Sequence, residues 1–435
     1  VEVRDAAALA SAPAPGAAVW IAALGRALVV SEASCQAAVA AGALALASLY
    51  QLWALPVQRR SPDFHDPSSS RYKAMRSKYF PPGFPNGWYC VCNTADLEGG
   101  RVKSISALGQ FLVAFRGADG RVGVLDAFCP HLGAHLGQGG QVCGNHLRCP
   151  FHGWSFDAQG RCQHVPYRKA KRELPEAAHT RAYEVRVLLG RVFAWFDAEG
   201  RPPQWELECH ADVEDGLRDG SYYFTDMRST VFEMHVSEMH LNSADPYHFQ
   251  TLHGPLPLPV LGRFLTGDHH ITQKYGCGKV KGEEVERAYL ASFAEKTRGV
   301  FLFGDRRLHV PLSGAVADKL DVGVTFEGPA IIHFTVSTPF GRLRQVKTLL
   351  PVEPFKQYVE VRWYAERSVP RWFALLFASI GTGALEQDRQ VWEHKIWRPK
   401  PVLVGGDGPF LEFYRWYGQF FSEGSRDVGR HAVEW

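Results

Sequence analysis

No long block of lysine or arginine stands out in this chain of 435 residues, and 48 basic side chains against 45 acidic ones leave a net charge of only +3. So nearly balanced a chain carries no electrostatic footprint for a phosphate backbone, and nucleic acid is not an expected partner. No Gly-x-Gly-x-x-Gly follows a strand-like run, so nicotinamide and flavin chemistry must reside in another protein. No segment repeats at the period of a solenoid or propeller. The nine cysteines (35, 90, 92, 129, 143, 149, 162, 209 and 277) are odd in number and spell no disulfide framework. A reducing compartment is therefore expected. Charge is missing altogether between Ala33 and Gln58.

That uncharged stretch sets the N-terminus apart. Residues 1–58 are rich in Ala, Leu and Val, and Cys35–Val57 is long enough to cross a bilayer, which takes about twenty predominantly apolar residues in a helix. Tyr50 and Trp53 suit an interfacial position, and Arg59-Arg60 follow at once. By the positive-inside rule these arginines put everything downstream in the cytosol. The expectation is a single-pass membrane anchor. A cleaved signal peptide is the competing reading, but the segment is long and basic at the wrong end. Residues 59–86 then read as a polar linker, broken by Ser61-Pro62, Asp66-Pro67 and Pro81-Pro82.

What the chain does contain is concentrated in Phe128–Phe156. Cys129 and His131 are separated by one residue, Cys149 and His152 by two, and seventeen residues lie between the pairs. Two thiolates on one iron and two imidazoles on the other are the ligands of a Rieske [2Fe–2S] centre, where neutral imidazoles remove negative charge and raise the potential. A zinc site or scattered buried side chains are the alternatives. Zinc signatures usually group Cys with Cys and His with His, whereas both pairs here are mixed and both carry a proline turn (CPH, CPFHGW). Short strands surround the stretch: Phe111–Phe115 and Val122–Leu125 flank one glycine turn, Val185–Leu189 and Val192–Phe196 another. Residues 87–200 thus read as a small antiparallel β domain holding a cluster on two loops. Cys90-Val91-Cys92 falls in a strand-like run, and alternation accounts for it better than a metal does.

A second informative stretch is Asn242–His253. Asp245-Pro246 suits a helix N-cap and first helical residue. Asp245 and His248, three apart, share a helical face. His253, five beyond His248, would be rotated away, so convergence requires the helix to bend or end between them. Two histidines and a carboxylate are the facial set for non-haem Fe(II), while paired helical histidines are equally common as structural residues. Further on, Ile331–Val336, Val346–Leu350 and Val359–Trp363 read as strands. Arg371–Ile380 opens an apolar helix too short to span a membrane, read as core, with a pocket wall or a bilayer contact as other uses. Pro255–Pro259 reads as a rigid loop at a pocket mouth.

Together the two stretches resemble Rieske-type non-haem iron oxygenases, over roughly residues 80–435. The resemblance implies an α+β fold: a small antiparallel β Rieske domain (87–200), then a helix-grip catalytic domain (201–435) of antiparallel sheet and helices, behind the apolar transmembrane-like helix of residues 1–58. It implies Cys129, His131, Cys149 and His152 as [2Fe–2S] ligands, and His248 and His253 as the histidines of a mononuclear Fe(II). Asp245 stands where the family keeps a carboxylate bridging a cluster histidine to an iron histidine across a subunit boundary, which implies a homotrimer. Asn242 is a further candidate beside the iron. The third iron ligand is implied to be Asp388, four residues before Trp392, with Glu386 and Glu393 as rivals that charge type alone does not separate. Leu132-Gly133 and Phe151 stand where respiratory Rieske proteins carry extra cysteines, which favours an oxygenase.

Tyr79–Val91 (YFPPGFPNGWYCV), with the apolar span and the overall layout, is similar to the cholesterol 7-desaturase group known as Neverland. The resemblance implies removal of hydrogens from C7 and C8 of cholesterol to give 7-dehydrocholesterol. O2 would be the oxidant, and a separate reductase or ferredoxin would deliver electrons from NAD(P)H, at the cytosolic face of the endoplasmic reticulum membrane. Two other functions compete: a Rieske monooxygenase hydroxylating another steroid or small hydrophobic substrate, and a membrane-tethered electron carrier with a vestigial iron site.

Overall fold

The computed structural model describes residues 66, 68–169, 173–207, 211–243, 245–253, 265–274, 289–303, 306–309, 321–405 and 407–428. The apolar N-terminal span and the Pro255–Pro259 loop lie outside the described residues. Among the described residues no helix is long and apolar enough to cross a membrane.

The stretch expected as a linker contains a docked helix, α1 (Ser70–Ser77). The Ser69 hydroxyl accepts from the Tyr72 amide at 3.2 Å and satisfies a free N–H of the first turn. Lys73 pairs with Glu233 at 2.7 Å and Glu353 at 2.9 Å. Arg76 is fully buried and donates to the carbonyls of Trp392, Lys395, Glu233 and Glu393 at 2.7–3.1 Å. Serine and proline content marks a local break; it carries no information about an anchor more than three hundred residues away.

The N-terminal half is built of short antiparallel strands: β1 (Gly87–Asn93), β2 (Lys103–Ala107), β3 (Gln110–Arg116), β4 (Val122–Asp126), β5 (Gln141–Cys143), β6 (His146–Arg148), β7 (Ser155–Phe156), β8 (Cys162–His164), β9 (Val185–Leu188) and β10 (Arg191–Phe196). They form three sheets, β1-β10-β9, β2-β3-β4 and β5-β6-β7-β8. The expected hairpins are present. Strand β9 stops one residue short of Leu189, which takes a left-handed φ of 51° with Gly190 to make the turn. In β1 the expected alternation is interrupted. Cys90 pairs with Phe193 and Cys92 with the adjacent Val192, leaving Val91 as a bulge, and both Val91 and Cys92 are buried. Burial pushes the Cys90 and Cys92 thiols up to about 11 and about 12, so neither is poised as a thiolate.

The second half is one large antiparallel sheet. Its strands are β11 (Tyr222–Phe232), β12 (Leu265–Lys274), β13 (Leu290–Phe303), β14 (Arg306–His309), β15 (Asp321–Glu327), β16 (Ile331–Thr338), β17 (Gly341–Glu353) and β18 (Lys356–Glu366). They run in the order β11-β18-β17-β16-β15-β13-β12, with β14 paired to β13. Helix α2 (Ala211–Asp219) precedes the sheet, α3 (Ser237–Ser243) and α4 (Pro246–Leu252) follow β11, and α5 (Arg371–Trp392) and α6 (Phe410–Gly418) follow β18. One sheet face, including Ile332, Val336, Leu343, Leu349, Val361 and Trp363, shares a core with Ala374, Ala378, Leu385 and Trp392 of α5 and Phe413 and Trp416 of α6. Those α5 positions fall on one helical stripe, while Trp372 and Leu375 on its first turns are exposed. Gly381 permits the close approach, because a Cβ there would stand 2.8 Å from the Trp363 ring. The packing thus fixes the end of α5, where Asp388 lies.

Candidate metal centres

The two cysteine loops share one backbone design. Cys129 N–H donates to the Ala134 carbonyl, and the Cys129 carbonyl accepts from Gly133 N–H, both at 2.9 Å. Cys149 repeats this with Trp154 at 2.7 Å and Gly153 at 3.2 Å. Gly133 and Gly153 both adopt the left-handed region, with φ of 72° and 73°, which closes each loop over its histidine. The imidazoles of His131 and His152 meet edge to face with centroids 4.7 Å apart, and the Trp154 indole stacks on His131 at 4.6 Å. Cys129 and Cys149 lie inside a small core with Phe115, Leu136, Leu147 and Phe156. Burial pushes the Cys129 thiol up to about 12, and the neighbouring Cys149 sulfur adds to that. Among the described residues His152 Nδ1 is buried without a hydrogen-bond partner. Paired buried sulfurs and an orphaned imidazole nitrogen fit a cluster that binds thiolate and imidazole.

The second centre lies in the sheet-and-helix half. Helix α4 ends at Leu252, so His253 is the first residue beyond it, and this termination turns the five-residue spacing back toward His248. The Asp245 carboxylate caps the helix, accepting from the Tyr247 and His248 amides at 2.9 and 3.3 Å. His248 Nδ1 donates to the Asp245 carbonyl at 2.6 Å, and His253 Nδ1 donates to Gln387 Oε1 at 2.8 Å. In the neutral imidazole this sets the tautomer in which Nε2 is the acceptor nitrogen of each ring. His248, His253 and Asp388 offer ligand atoms all within 4.8 Å of one another. Asp388 is 3% exposed, and its Oδ1 lies 3.2 Å from His253 Nε2 with no other partner among the described residues. The Asn242 side-chain amide sits 2.9 Å from His248 Nε2. Two oriented imidazoles and a buried carboxylate oxygen in need of a cation fit a divalent iron.

Of the three rival carboxylates, Glu386 is exposed and bound to Arg389 at 2.7 Å, and Glu393 is bound to Arg389 and to the Glu233 amide. Asp388 alone of the three turns to the histidines. Burial holds the His248 imidazole below its usual value; for His253 burial also pulls downward, but the hydrogen bond and charge of Asp388 outweigh it and the net shift is upward. Two residues escaped the sequence reading. Gln387 orients His253, a role visible only by asking where each histidine's second nitrogen goes. Lys347 on β17 is 8% exposed, and burial lowers its ammonium to about 8 against the pull of Asp388.

With this geometry in hand, comparisons with known proteins agree at two levels. Residues 87–184 match the Rieske [2Fe-2S] domain, and residues 194–421 match the 3-ketosteroid 9alpha-hydroxylase C-terminal domain. The chain is 32% identical to cholesterol 7-desaturase nvd 1 of Ciona intestinalis, across 79% of this chain and 70% of that one. It is 33% identical to cholesterol 7-desaturase nvd of Hemicentrotus pulcherrimus, across 81% and 73%. In fold it is similar to a Pseudomonas putida CBB5 structure, the NdmA QL mutant with theobromine, with a TM-score of 0.53, 18% identity and coverage of 80% and 94%.

Proposed function

The chain belongs to the Rieske-type non-haem iron oxygenases, and from that membership we propose that it desaturates cholesterol between C7 and C8, giving 7-dehydrocholesterol. The observation that carries the reading is the convergence of His248, His253 and Asp388 within 4.8 Å, in a chain 32–33% identical to relatives named cholesterol 7-desaturase. Cys129, His131, Cys149 and His152 would hold the [2Fe–2S] cluster and His248, His253 and Asp388 the mononuclear iron. When bound, the cluster supplies single electrons and the iron activates O2 for hydrogen abstraction. The protein's own part is orientation. Asp245 and Gln387 fix the tautomers of His248 and His253, Asn242 lies beside the same nitrogen of His248, and the core under α5 excludes water. A separate reductase or ferredoxin would deliver the electrons from NAD(P)H. An N-terminal anchor would bring the site to the membrane where a sterol partitions.

Incubation of the loaded enzyme with cholesterol, a ferredoxin-type reductase and NAD(P)H is expected to give a conjugated 5,7-diene. A hydroxysteroid without diene would sink the desaturase in favour of a steroid hydroxylase, a reading favoured by the match of residues 194–421. Asp245 is proposed as the electron bridge from His152 of a neighbouring subunit in a trimer. Asparagine caps a helix as well as aspartate does, so Asp245→Asn should keep both metals while slowing single-turnover oxidation of the cluster by about 10–100-fold. An unchanged rate would remove the bridging role.

A further inference from the structure

Two polar side chains of β17, Gln345 and Lys347, lie on the sheet face under α5 among apolar neighbours. Gln345 on β17 pairs directly with Trp363 on β18 and with Phe334 on β16, and Lys347 stands two residues along β17 on the same face. Gln345 and Trp363 are each 2% exposed. Among the described residues the Trp363 indole N–H has no acceptor, and neither has the buried Thr382 hydroxyl on α5 above it. The Lys347 ammonium rests over the Phe334 ring, 4.2 Å from its centroid, and among the described residues no carboxylate lies within ion-pair distance. It feels the charge of Asp388 and acts in turn on His253, which puts it in the neighbourhood of the iron ligands. The surrounding positions, Ile332, Leu343, Leu349 and Val361, are apolar.

A buried donor without an acceptor costs about 1–3 kcal/mol, and two of them, on Trp363 and Thr382, with Gln345 and Lys347 on the same apolar wall, mark the polar end of a ligand pocket. We propose that Gln345, Lys347 and the Trp363 indole N–H receive the single hydroxyl of a sterol and so set which carbon faces the iron. Lys347 and Trp363 donate to the hydroxyl oxygen, and the Gln345 carbonyl accepts its proton. This inference rests on the sterol reading above and adds to it the residues that recognise the substrate's one polar group.

Equilibrium binding of cholesterol and of its 3-deoxy analogue, 5-cholestene, to the iron-loaded holoenzyme tests it. The wild type should favour cholesterol by about tenfold or more, the worth of one buried hydrogen bond. Lys347→Met and Gln345→Leu, close in volume to the residues they replace, should each bring that ratio toward one. Iron and sulfide content should stay at the wild-type level, and the KM for cholesterol should rise more than kcat falls. Variants that keep the wild-type ratio, or a wild type that binds both sterols alike, would overturn the inference and leave the sterol reading standing. A wild type that binds neither would overturn both.

Discussion

Asp388→Ala is expected to lower the iron content from about three to about two per chain, with the cluster intact and substrate oxidation abolished. Among the described residues Asp388 is the one carboxylate that groups with the two histidines, and it is almost fully buried, with Oδ1 facing His253 at 3.2 Å. Two neutral imidazoles without it leave a divalent cation uncompensated in a low-dielectric site, where charge is costly. Glu386→Ala is the control. That side chain is exposed and bound to Arg389, so iron content should not change. Metal analysis with sulfide determination and visible absorption of the cluster reads both variants. Retention of three irons and activity in Asp388→Ala would displace Asp388 from the centre and return the electron carrier with an unused second site to contention.

How much of this was legible in the sequence depends on the range of the interaction that fixes each part. The cluster loops were readable because Cys129, His131, Cys149 and His152 are held by contacts within each loop, from cysteine to glycine four residues on. The hairpins around them were readable for the same reason. The spacing of His248 and His253 already required a helix end, and α4 supplies one at Leu252. Asp388 was different. Glu386, Asp388 and Glu393 are chemically alike, and what separates them is which side of α5 packs on the sheet, decided by Trp363, Gly381 and Leu385 together. The sequence pattern brought the helix to the site, and family resemblance chose the residue. Cys92 was read in the right strand, but the bulge at Val91 depends on pairing with β10, a hundred residues away. Helix α1 was missed because its anchor is tertiary: polar composition describes its exposed side, not the arginine it buries.

Arg76→Met should therefore be among the most disruptive substitutions outside the metal ligands, costing about 3 kcal/mol or more of stability. The guanidinium is fully buried, and its nitrogens reach four carbonyls, three of them on residues at and just beyond the C-terminus of α5. Helix ends leave carbonyls unsatisfied, and a cation there also meets the negative end of the helix dipole. Methionine fills similar space against Phe80 and Phe355, over which Arg76 now lies at 5.3 and 4.8 Å, but supplies no donors, so buried carbonyls lose their partners. The consequence should reach the iron. Asp388 lies one turn from that helix end, and Lys395 just past it is bound to the buried Glu238 of α3 at 2.7 Å, the helix that also carries Asn242. Loosening this joint lets α5 shift against α3 and α4, so Arg76→Met should release the mononuclear iron to a chelator faster than wild type while keeping its cluster absorption. Arg76→Lys should recover only part of the loss, because a single ammonium cannot span the forked set of acceptors. Denaturant unfolding and timed iron release measure the two effects separately. Wild-type stability in Arg76→Met would mean that α1 is a passenger on the catalytic half, and unchanged iron release would mean that the end of α5 is held without it.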